Sequence, residues 1–291
     1  MDLIERYNAL LKRTEDGTIT LLNRVLDQAF NRLVRRVRIH MRAGYVDPAQ
    51  RNLALLQEFR QLIPSFRPER IDAYDRLLRN LFLDAQFRGL GIADELTQAA
   101  DPTRGRIDVT IPLEATHAAA AQARGYLRRH GETFATTSTE VVAQGIAEGR
   151  PTDAMTNDLR LRLGIVKSRA ETIVRTEALR AYADASNTYY AQRGIQLVMW
   201  YATSDDRTCS ICAPRAGVIY KRGAVSVPCH PRCRCHLAPW NEDIAAMDPT
   251  YAQQRQRHRD EVASALRNSN IAPLSLNKAA VFEQSAPTPY A

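Results

Sequence analysis

Two stretches decide how this chain is read: Trp200-Tyr201-Ala202-Thr203-Ser204-Asp205-Asp206-Arg207-Thr208-Cys209-Ser210-Ile211-Cys212, and Pro228-Cys229-His230-Pro231-Arg232-Cys233-Arg234-Cys235-His236. Together they hold all 5 cysteines of the 291 residues. Cysteines scattered through a core behave as small buried hydrophobes. Gathered into two knots, they indicate one metal or redox site. Cys209 and Cys212 form a Cys-x-x-Cys turn that aims two sulfurs the same way, and His230 and Cys233 repeat the spacing. Zinc takes four tetrahedral thiolate and imidazole donors in such pairs. The spacing nominates Cys209, Cys212, His230 and Cys233 as ligands. Cys235 is the alternate fourth ligand, because in an extended chain it shares a face with Cys233. Cys229 and His236 are weaker candidates; Cys229, one residue out of phase with His230, should point elsewhere if its segment is extended. With four protein donors no position stays open for water, so such a zinc is structural rather than catalytic. A reduced cluster packed without metal and a disulfide or redox pair are the alternatives.

Working outward, the chain becomes helical. Leu22, Leu26, Phe30, Leu33 and Val37 recur at helical steps over 18–43, with Arg24, Arg32, Arg35, Arg36, Arg38 and Arg42 among them. Those arginines read either as a solvated face or as a basic face for DNA or an acidic partner. Asp47-Pro48 opens a helix to about Leu62. Another runs from about Glu69 to Phe87, ended by Gly89 and Gly91. Residues 101–112 read as a loop holding an alternating Ile107-to-Ile111 run. Further helices are expected over 113–130, 132–149 and 152–163, the last closed by Gly164. Ser168-x-x-Glu171 reads as a capping box opening a helix to about Gln192. Then the period changes: 195–201, 218–220 and 235–240 read as strands. Asp248-Pro249 starts a last helix to about Arg267, charged nearly all round and so either exposed or completed by a partner. The tail, with Val281-Phe282 as a docking point, has the composition of a disordered arm.

The expected fold class is α+β, mostly α-helical. A helical N-terminal region covers 1–150, a small zinc-knuckle-like α+β block covers 151–241, and a C-terminal helix with an extended arm covers 242–291. Aromatic residues make up only 7% of the chain, which favours helices over sheets. The net charge is +8, and only Lys12, Lys167, Lys221 and Lys278 of the 40 basic residues are lysines. Arginine forks suit phosphates, although a GC-rich genome gives the same bias. The first residues lack the basic start and apolar run of a signal peptide, and no stretch suits a bilayer span. The expectation is a reducing, cytoplasm-like space, where clustered cysteines are metal ligands or redox centres.

Three features occur in order: Arg175-Thr176-Glu177 inside a long helix; the tryptophan strand leading into Asp205-x-Arg207-x-Cys209-x-x-Cys212; then Gly217 and Pro228-x-His230-Pro231-x-Cys233-Arg234-Cys235. Their order and spacing resemble the phage head morphogenesis family, the minor head proteins of the phage Mu F type, over roughly 130–240. Cys229 departs from the family pattern, which has no fixed residue there. The resemblance implies a structural, non-enzymatic minor capsid protein of the virion, assembled in the host cytoplasm. Its implied partners are the portal protein, the major capsid protein and packaged DNA, with several copies around the portal and no membrane. On this reading Arg175 and Glu177 tether the block through Asp205 or Asp206 and Arg207. Two other classes stay in view. A zinc-dependent HNH-like nuclease needs a general-base histidine and an open metal site, and no neighbouring acid set completes it. A zinc-finger DNA-binding protein needs a recognition helix directly after the knot, where Leu237-Ala238-Pro239-Trp240 stands instead.

Overall fold

The computed structural model describes residues 3–42, 50, 53–54, 57, 72–103, 105, 107–110, 113–205 and 208–268. The helix expected from Asp47 to about Leu62 falls largely outside them. So do the tail with Val281-Phe282, Ile111, Asp206 and Arg207. The element order is α1 (Leu3–Arg42), α2 (Asp72–Ala100), α3 (Leu113–Ala147), α4 (Thr152–Gln192), β1 (Leu197–Tyr201), β2 (Ile219–Lys221), β3 (His236–Trp240), α5 (Glu242–Met247) and α6 (Pro249–Arg267). The fold is α+β and mostly helical. None of the described helices is long and apolar enough to cross a membrane.

The helices run through positions where the sequence suggested ends. α3 and α4 are each continuous where two helices were expected, with Gly131 and Gly164 inside them. An interior glycine costs about 1 kcal/mol relative to alanine, less than burial of the apolar stripes on either side returns. Ser168 and Glu171 lie in mid-helix instead of capping, and Glu171 receives Arg175 Nε at 3.1 Å. α2 likewise passes Gly89 and Gly91 and ends at Ala100.

The chain forms two compact units, and α1, α2 and α4 contribute to both. The first unit comprises residues 13–81 and 114–177. Its described core is helical, with Leu22, Leu26, Phe30, Leu78, Val142, Leu159 and Val174 buried. Arg24, Arg32 and Arg35 are exposed on α1. The guanidinium of Arg175 donates to Glu15 at 3.0 Å and Asp16 at 2.7 Å as well as to Glu171. Its donors are engaged by α1 and by its own helix, while Asp206 and Arg207 of the expected tether lie outside the described residues. Glu177 is buried in the same unit.

The second unit comprises residues 1–12, 82–113 and 178–291. Here α2 and α4 touch backbone to backbone. Ser186 Oγ lies 2.9 Å from the Gly89 carbonyl oxygen. A Cβ on Gly89 would stand 2.2 Å from the Tyr182 carbonyl oxygen. Gly89 is thus a packing position rather than a stop. The sheet has the order β2-β1-β3, antiparallel throughout, with Met199 opposite Ile219 and Ala238. Met199, Ile219 and Trp240 bury one cluster, against which Leu197, Tyr201 and Ala245 pack. Tyr190 Oη donates to the Leu237 carbonyl at 3.1 Å, tying α4 to β3.

The charged last helix finds its partner in the same unit. Asp248 caps it, accepting from Thr250 N at 2.8 Å. His258 and Val262 are buried. The Ala202 amide donates to His258 Nε2 at 3.1 Å, and the His258 ring stacks on Tyr201 at 3.9 Å. Arg255 Nε donates to the Gly217 carbonyl at 2.6 Å. Gly217 has φ +68, and a Cβ there would meet Arg259 Cγ at 2.7 Å.

Two glycine substitutions separate packing from propensity. Gly89→Ala lowers the thermal midpoint by an amount equivalent to about 1–3 kcal/mol, because the added methyl forces the α2–α4 backbones apart. Gly164→Ala, with nothing within 4 Å of its Cβ, raises stability by about 0.5–1 kcal/mol. Thermal melts of the two variants side by side check this.

Candidate metal centre

The centre hangs from the central strand. Trp200 on β1 exchanges backbone hydrogen bonds with the chain beyond the first knot: Trp200 N to Val218 O at 2.9 Å, and Gly217 N to Trp200 O at 2.9 Å. After β1 the chain turns at Asp205. The Thr208 hydroxyl governs that turn, lying 2.7 Å from Thr203 O and 2.8 Å from Asp205 O while accepting from Asp205 N at 3.1 Å. Thr208 is buried, so these backbone groups have little access to water as a substitute.

The two knots close alike. Cys212 N donates to Cys209 O at 3.2 Å, and Cys233 N donates to His230 O at 3.1 Å. The equal spacing seen in the sequence is therefore an equal turn. A salt bridge stitches the knots together: Arg234 grips Asp205 with both terminal guanidinium nitrogens, Nη2 to Oδ1 at 2.7 Å. Thr203 Oγ1 adds a bond to the Arg234 carbonyl at 2.6 Å. Arg215 lies over the Trp200 ring at 5.2 Å.

The donor atoms of Cys212, Cys229, His230 and Cys233 all lie within 4.8 Å of one another. The three sulfurs are 3.7 Å (Cys212–Cys229), 3.9 Å (Cys212–Cys233) and 3.9 Å (Cys229–Cys233) apart. A tetrahedral zinc with Zn–S bonds of about 2.3 Å sets its sulfurs about 3.8 Å apart, so the donors fit the ion. His230 Nε2 is 3.1 Å from Cys212 Sγ and 3.2 Å from Cys209 Sγ. Its Nδ1 lies 2.8 Å from the Pro231 carbonyl. A carbonyl only accepts, so Nδ1 carries a proton, and loss of the second proton from Nε2 would turn a lone pair inward, as a metal ligand requires. Cys235 is buried and interacts with Cys212 and Cys233.

Cys229 is where the sequence reading and the structure part. It ranked as a weaker candidate because it would point elsewhere if its segment were extended. The segment is instead a run of bends and turns through Arg232, whose φ is +61, and this brings the Cys229 sulfur into the cluster. Cys209 lies at the edge, against His230 and Cys212. Asp205 and Arg234 belong to the sequence motif, but their pairing was not legible in it.

Such a cluster cannot shed all its protons unaided. The hydrogen bond from Cys212, helped by His230, brings the Cys209 thiol down to about 4 against the effect of burial. Cys233 is held well below the usual thiol range, first by Cys212. Cys212 itself is pushed up, first by its bond to Cys209. Burial works against a charged His230, yet Cys209 and Cys233 raise it to about 10. Thiolates thus face an imidazolium and a retained thiol proton, the charges a divalent cation would replace.

Among known proteins, residues 136–238 match the family model described as Phage Mu protein F like protein. The matched segment includes α4, β1, β2 and both knots. The resemblance read from the motif order is borne out for it. No curated protein and no solved structure matches the chain.

Thr208→Val keeps the shape but strips the turn of its hydroxyl. Leaving buried backbone groups unpaired costs about 1–3 kcal/mol, and amide hydrogen exchange should speed up from Thr203 to Cys212. Unchanged exchange there would remove Thr208 from its place as organiser of the turn.

Proposed function

We propose that this chain is a structural minor protein of a tailed-phage head, with residues 209–235 folded around one structural zinc. The observation that carries the reading is the coincidence of the Mu F-like match over 136–238 with a closed Cys/His cluster. The ligands are Cys212, His230 and Cys233 from the set nominated by spacing, completed by Cys229, which is within reach of all three. Cys209 and Cys235 are the competing sulfurs. The zinc supplies charge neutralisation and cross-linking; with four protein donors it binds no substrate. Asp205 is engaged by Arg234, which favours a scaffold role for this carboxylate over an acid–base one.

The portal protein is the principal partner, with the major capsid protein adjoining and several copies around the portal. The exposed Arg24, Arg32 and Arg35 offer charge to packaged DNA or to an acidic partner surface. Residues 151–241 are the working head-morphogenesis domain between the N-terminal helical region and the C-terminal arm. The protein acts without catalysis and resides in the virion.

Mass spectrometry of purified virions and procapsids should find the chain in several copies, alongside the portal protein. Its absence from both particles would sink the reading.

For the site, the purified chain should carry about one zinc, and chelation should lower its melting temperature. Zinc loading should fall as the pH drops, because acid protonates the thiolates that hold the ion. The Cys212 and His230 protons must leave when zinc enters, so binding releases protons and tightens with rising pH. Cys229→Ser should lose zinc, whereas Cys209→Ser should keep it. The reverse pattern would give the fourth position to Cys209.

A further inference from the structure

Away from the cysteines, a cavity of about 10 Å³ lies within the second unit, where α4 meets β3. That volume admits the centre of about one water molecule. Its lining is mostly apolar, with Ile92, Leu96 and Leu237 among the contributors, so an ion would be poorly solvated there. Two polar residues of the lining stand out. Tyr182 is 2% exposed. Its hydroxyl and Oδ1 of Asn187 are both buried, and neither has a hydrogen-bond partner among the described residues. The neighbouring hydroxyls are already committed: Ser186 Oγ to the Gly89 and Tyr182 carbonyls, and Tyr190 Oη to the Leu237 carbonyl. Buried polar groups are almost always paired, and an unpaired one is costly. Both residues line one water-sized space, and their leftover donor and acceptor call for a guest that can serve both.

We infer that this cavity is a binding site for a single water molecule, which accepts from the Tyr182 hydroxyl and donates to Asn187 Oδ1. The position gives the water a structural task. His236 also lines the cavity and meets the Tyr182 ring edge-on at 5.1 Å. It is the first residue of β3 and follows Cys235 directly. The water therefore bridges two side chains of α4 beside the strand that leaves the cysteine cluster, whose direct bond to α4 is that from Tyr190. The inference is independent of the head-protein reading and of zinc.

The sign of one substitution tests it. With the water in place, Tyr182→Phe removes a satisfied hydrogen bond and lowers the melting temperature of the full chain by about 2–4 °C. With a dry cavity, the same change deletes an unpaired hydroxyl and raises the midpoint or leaves it unchanged. Asn187→Leu and the double variant complete a cycle. A shared water makes the double variant lose less than the sum of the singles; additive losses overturn the bridge. If Tyr182→Phe does not fold, a crystal structure of the native chain decides. Density for one water within hydrogen-bond reach of Tyr182 Oη and Asn187 Oδ1 sustains the site, and a cavity without it overturns the site.

Discussion

Convergence of the two knots is the constraint around which the second unit is organised. Three sulfurs and an imidazole nitrogen must meet at separations that suit one small cation, although their residues lie on either side of a long excursion. Backbone turns of one kind shape both knots, the first delivering Cys212 and the second Cys229, His230 and Cys233, and the Asp205–Arg234 bridge holds the knots together. The central strand makes this possible. β1 pairs with β2 on one side and β3 on the other. The chain leaves β1 for the first knot, returns through β2, and passes the second knot before entering β3. Both knots are thus suspended from one three-stranded frame.

That frame is secured by polar contacts with specific geometry. His258 is neither a ligand nor a surface charge. It accepts the Ala202 amide just beyond β1 while its ring covers Tyr201. Arg255 holds the Gly217 carbonyl from the same helix. A helix that looks too polar to pack is seated by two polar side chains, His258 and Arg255. On the other side, α4 reaches β3 through Tyr190 and crosses α2 at a point where only a hydrogen atom fits.

Features set by local pattern were legible in the sequence. The change of period after Gly194 marked the strands, and the equal spacing of Cys209–Cys212 and His230–Cys233 marked the equal turns. Helix ends were less legible because glycine has two meanings. At Gly89 it permits a close helix crossing, a relation to Tyr182 that no nearby residue announces. Cys229 ranked low for a related reason: alternation predicts direction only in an extended chain, and turns through Arg232 cancel it. Arg175 found Glu15 and Asp16 far away in sequence, and His258 found Ala202. Such pairings depend on tertiary approach, which spacing along the chain does not encode.

The suspension of both knots from one small sheet also bounds how far a disturbance can spread. A cation shared by Cys212 and Cys229 would act as a cross-link closing the segment between them, which carries β2. Cross-linking a loop of that size stabilises by about 3 kcal/mol through the entropy denied to the open chain. Opening it releases that one loop, while the helical unit keeps a core built from its own side chains. The cluster therefore behaves as a local clasp whose loss loosens a surface without dissolving the scaffold.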